Sequence, residues 1–86
     1  MILQDLVRRY IASDPNSPEG IRARMELLQE MFETAKGDDS DLARAVIRYY
    51  YDDLNWSEVN FTTQEGWDKS DRDREESFQR LIDLVS

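Results

Sequence analysis

Two residue types are missing outright from this 86-residue chain, cysteine and histidine. Without cysteine there are no disulfides, no thiolate nucleophile and no zinc–sulfur centre, a composition that suits the cytoplasm. Without histidine the commonest general base and transition-metal ligand is gone. Long apolar runs are lacking as well. Nothing approaches the ~20 residues of a membrane span, and the opening MILQDLVRRY is amphipathic rather than signal-like, so neither a membrane partner nor export is expected. Base is scarce where acid is dense: from Asp52 to Asp68 five acids (Asp52, Asp53, Glu58, Glu65, Asp68) stand with no lysine or arginine between them.

The acid excess is lopsided. Residues 1–36 carry six acids and five bases, and residues 37–86 carry thirteen acids and six bases, together the net charge of −8. A negative field of that size repels phosphate backbones and draws in basic surfaces, so direct nucleic-acid binding is not expected and a basic protein partner is. At this length the chain forms a single domain, 1–86, with one modest core. Its hydrophobic share of 40% is enough to build one.

Periodicity predicts an all-α fold, a small bundle of about four helices. Ile2, Leu3, Leu6, Val7, Tyr10 and Ile11 recur at helical spacing. Asp14-Pro15 stops that helix, and Asn16 or Ser17 caps a second one with Pro18 in its first position. The second helix sets Ile21, Met25, Leu28, Phe32 and Ala35 on one stripe and ends at Gly37, read as a glycine stop. DDSD, residues 38–41, starts the third helix with carboxylates at the positive end of its dipole. The last helix is expected to open at Ser70 and bury Phe78, Leu81, Ile82 and Val85. Between them, residues 55–70 read as an aromatic-rich acidic loop pinned by Trp56, Phe61 and Trp67, with a short strand or a backward extension of the last helix as alternatives. The expected core is Leu6, Tyr10, Met25, Leu28, Phe32, Val46, Tyr50, Phe78 and Ile82.

The stretch RYYYDDLNW, residues 48–56, concentrates the functional question. On a helix turning about 100° per residue, Leu42, Ala43, Val46, Ile47, Tyr50 and Leu54 share the apolar face, while Asp41, Arg44, Arg48 and Asp52 form a solvated stripe opposite. Tyr49 and Tyr51 then fall on the margins. Asp53 is out of place, since it projects onto the apolar side near a helix C-terminus, where a carboxylate is unfavourable on both counts. Either the helix ends at Asp52 or Asp53 and turns away at Asn55, or its end is exposed and presents acids and aromatics outward.

No catalytic constellation is found. Asp52 and Asp53 diverge by about 100° on a helix and share no proton. Asp71, Asp73 and Glu75 begin a calcium-loop pattern, but Glu76 stands where glycine is needed and Ile82 where the last ligand should be. The expectation is therefore no enzyme and no cofactor, with association as the remaining activity. Tyr50, Tyr51, Asp52, Asp53, Trp56, Glu58, Glu65 and Trp67 form the candidate partner-binding set, in which aromatics anchor and acids steer. The competing structural reading makes Trp56, Phe61 and Trp67 lids on a small core.

SPEGI at residues 17–21 and YYYDD at 49–53, in a small acidic four-helix chain, resemble the immunity proteins that neutralise nuclease bacteriocins, with the two pieces in the opposite order to that family. The resemblance implies a bacterial or phage inhibitor that occludes a basic surface of its partner, with Tyr50, Tyr51, Asp52 and Asp53 at the contact. Two other readings stand beside it. One is a DNA mimic or phage-type regulatory adaptor acting on a nucleic-acid-binding host machine, and the other a self-assembling structural subunit, for which a homodimer is expected.

Overall fold

The computed structural model describes residues 2–58 and 64–86, without the side chains of 57, 58 and 64. Four helices and no strand make up the described residues: α1 (Leu3–Ala12), α2 (Pro18–Ala35), α3 (Asp41–Glu58) and α4 (Gln64–Val85). The bundle is all-α, as the periodicity predicts. Its helix starts follow from local chemistry. Ser17 accepts a hydrogen bond from the Gly20 amide at 3.0 Å with Pro18 behind it, the side-chain cap and fixed φ that open α2. Ser40 does the same for α3, accepting from Ala43 N at 3.1 Å while Asp38 holds Ser40 in place.

Gly20 is required by a close approach rather than by its φ. A Cβ there would lie 1.9 Å from the Asp14 carbonyl oxygen, so the loop between α1 and α2 can fold back on the new helix only over a bare backbone. Gly37 behaves otherwise than expected. It follows the end of α2, but no glycine among the described residues has a positive φ. The helix closes instead through bonds from Gly37 N to Thr34 O and from Asp38 N to Ala35 O.

The core lies where α1 crosses the other helices. Leu3, Leu6, Val7 and Tyr10 meet Leu28, Met31 and Ala35 of α2, Ala43, Val46 and Tyr49 of α3, and Leu81 and Val85 of α4. Arg8 ties the ends together by donating to the Val85 carbonyl, one of the acceptors a helix C-terminus leaves open. Of the expected core, Leu6, Tyr10, Leu28 and Val46 are buried, and Phe32, Tyr50, Phe78 and Ile82 are half-buried. Met25 is not core at all; it is 70% exposed.

Two further expectations are corrected. Helix α3 does not stop at Asp52 or Asp53; it runs to Glu58 and carries Trp56 with it. Helix α4 starts at Gln64 rather than Ser70, so Glu65 and Trp67 also stand on a helix, and Ser70 is buried inside it. The backward extension is thus the alternative that holds for residues 64–70. A glutamate in the first turn favours it through the helix dipole. Phe61 and the rest of 59–63 lie outside the described residues.

Candidate functional site

Helix α3 sits between α2 and α4, and this placement splits the candidate set. Tyr50 and Tyr51 turn toward α2. The Tyr50 ring stacks on Phe32 with centroids 4.0 Å apart, and Tyr51 meets Phe32 edge-on at 5.9 Å and Tyr50 at 5.8 Å. Lys36 covers Phe32 from 5.1 Å. Tyr51 remains 52% exposed. Asp52, Asp53 and Trp56 turn toward α4. Successive residues rotate by about 100° on a helix, so a run of adjacent aromatics and acids is bound to serve two sides.

The acids of that run are committed within the chain. Arg74 Nε donates to Asp53 at 2.8 Å, and both side chains are more than two-thirds buried. That pairing resolves the oddity of a carboxylate on the apolar side. Burial pulls the Arg74 pKa down, but the bond to Asp53 and the neighbouring groups outweigh it and leave the pKa raised. Asp52 accepts from the Ser77 hydroxyl of α4 and lies 3.7 Å from Arg48 Nε, with its side chain 18% exposed. The stripe expected to be solvated is therefore covered at its Asp52 edge, because α4 packs beside the small Ala45. Trp56 is half-buried; its indole N–H donates to Asp71 at 2.6 Å and Arg74 lies 4.5 Å over its ring. Glu65 is exposed and Trp67 is 43% exposed on the first turn of α4. The Glu58 side chain lies outside the described residues.

Tyr49, expected at a margin, is 1% exposed. Its hydroxyl and that of Tyr10 are 2.6 Å apart, and the two rings close on Phe78 at 5.6 and 6.1 Å. Burial raises both phenol pKa values, which keeps the pair neutral so that one hydroxyl donates and the other accepts.

The residues missed from the sequence lie on α2. At its C-terminal half Phe32 of the apolar stripe meets Tyr50 and Tyr51. Among the described residues α2 does not pack on α4: no α2 Cα comes within 8 Å of one in α4. A cleft of about 600 Å³ opens there, lined by Tyr10, Ile21, Arg24, Met25, Trp56 and Arg74 among others. Arg24 bridges the gap, its guanidinium 4.8 Å over Tyr10 and 5.6 Å from Phe78. Ile21 is 47% exposed at the mouth. On the other side of Met25, Glu26, Gln29, Glu30 and Glu33 form a shallow acidic hollow. A usable signal was present: Arg24 and Arg74 each stand four residues before an apolar residue of the packed face, Leu28 and Phe78, so each had to reach out of a stripe that excludes charge.

Among the described residues no group of three or more acids gathers where it could hold a metal ion, and no helix is long and apolar enough to cross a membrane. Compared with protein-family models, curated proteins and solved structures, the chain matches none.

Proposed function

We propose that this chain is a non-enzymatic protein-binding inhibitor that works in the cytoplasm and occludes a basic surface of a partner protein. The observation that carries the reading is the exposure of Met25 and Tyr51, 70% and 52%, with Met25 lining a hollow shared with exposed Glu26, Glu30 and Glu33. Phe32 joins the two, lying two turns along α2 from Met25 and against the Tyr51 ring. Large apolar side chains ringed by acid suit an interface in which the centre supplies affinity and the rim speeds encounter with a positive partner. Asp52 and Asp53 then act as scaffold, since their carboxylates hold α4 to α3. The likeness of SPEGI and YYYDD to nuclease-bacteriocin immunity proteins implies the same class of activity.

Affinity capture from the native source with three baits tests this. Wild type should retain a basic protein that both a Met25→Ala/Tyr51→Ala bait and a Glu26→Lys/Glu30→Lys bait lose. A captured DNA-binding complex would move the reading to a nucleic-acid mimic. A partner held equally by all three baits, or a homodimer that buries Met25 and Tyr51, would overturn it.

A further inference from the structure

The cleft between α2 and the α3–α4 pair is opposite in sign to the net charge of the molecule. Arg24 and Arg74 line it against the single carboxylate of Asp53, a local net of +1 in a chain of net −8. Arg24 is anchored through Nε alone, to the Ser13 hydroxyl at 3.0 Å and the Ser13 carbonyl at 3.3 Å. Its terminal nitrogens donate to nothing among the described residues, yet packing against Tyr10 and Phe78 fixes the plane of the group. A guanidinium with its fork free and its orientation set is preorganised for a carboxylate, which takes two parallel bonds from it. The walls beside it, Ile21, Met25 and Leu28, offer no polar side-chain atom. The volume falls within the ~300–1,000 Å³ usual for small-molecule sites.

We propose that this cleft binds a small carboxylic acid with an apolar body, the carboxylate on the fork of Arg24 and the acyl or aryl body along Ile21, Met25 and Leu28. The inference rests on Arg24 and the cleft rather than on the proposed protein-binding face, with which it shares only Met25. A local charge of +1 matches one carboxylate and not a phosphate dianion. The acid is either a free molecule or the C-terminal end of a peptide, and the two present the same chemistry.

Isothermal titration calorimetry with octanoate, octan-1-ol and octylamine reads the claim. Octanoate should bind at least about tenfold more tightly than either control, the discrimination expected of one charge-assisted contact. Arg24→Met should remove that preference while leaving octan-1-ol unchanged. Should that variant fold poorly, Met25→Glu at the exposed mouth sets a like charge there without touching the core, and should weaken octanoate selectively. Acetyl-Leu-Phe tests the other source: binding tighter than octanoate assigns the cleft to a chain terminus, and weaker binding assigns it to a free acid. Octan-1-ol binding as tightly as octanoate, or amidated acetyl-Leu-Phe binding better than the free acid, would overturn the proposal.

Discussion

Single residues show most sharply what the packing demands. Ser70 reads as the cap of the last helix, but it lies inside α4, buried, with its hydroxyl unpartnered among the described residues. A buried polar atom without a bond costs about 1–3 kcal/mol, and alanine is also the better helix former. Ser70→Ala should therefore stabilise the fold by about 1–2 kcal/mol, seen as a higher melting temperature by circular dichroism; a lower one would mean that the hydroxyl has a partner. Sequence alone could not place Ser70 because capping chemistry reads the same at a helix start and within a helix. Asp53 is the complementary case. Its misfit with the apolar face was legible, whereas its partner Arg74, 21 residues away, is a tertiary fact. The candidate site was readable as a composition of aromatic and acid, and Tyr51 did emerge exposed. Which of its members face outward depended on α4, and adjacency in sequence says nothing of that.

At the level of helices, the number of elements and the starts of α2 and α3 were legible, because Ser17-Pro18 and DDSD act within a single turn. Core faces were legible only to within a rotation. The apolar arc of α3 was centred near Ala43 and Tyr50, but α4 packs on the Ala45 and Tyr49 side and brings Tyr49 fully inside. The stripe on α2 was read correctly as apolar, yet it is covered only where α3 lies against it, which leaves Ile21 and Met25 open. The Tyr10–Tyr49 hydroxyl pair joins α1 to α3 and gives that crossing a pH limit. Both phenols have pKa values raised by burial above the ordinary 10.0. In the unfolded chain they ionise near that value, while in the folded chain they stay neutral. Their contribution is thus fully present below about pH 10 and declines as pH rises from there, by up to ~1.4 kcal/mol per pH unit for each tyrosine. Urea titrations at pH 9, 10 and 11 should show that decline in wild type and a smaller one in Tyr49→Phe. Equal slopes would place the alkaline sensitivity elsewhere.

For the molecule as a whole, a net charge of −8 does not spread into a uniform acidic shell. The acids of YYYDD hold α4 to α3, and outward acid beside exposed apolar side chains remains on the glutamate ridge of α2 and at Glu65 near Trp67 on α4. The half of the chain that looked nearly neutral therefore supplies most of the proposed contact face, and the acid-rich half supplies Tyr51 and the scaffold. Charge totals predict the sign of a partner and leave its place of docking to the fold. The measurement that bears most directly on this account is the dissociation rate of the captured basic partner from immobilised wild type and from the Met25→Ala/Tyr51→Ala variant. Met25 is exposed and Tyr51 half-exposed, so melting curves should lie close together, Tyr51→Ala losing only the edge contacts with Phe32 and Tyr50. With each anchor contributing about 2 kcal/mol, the double variant loses about 4 kcal/mol and should release the partner roughly a thousandfold faster. An unchanged dissociation rate from a variant that melts like wild type would contradict the account.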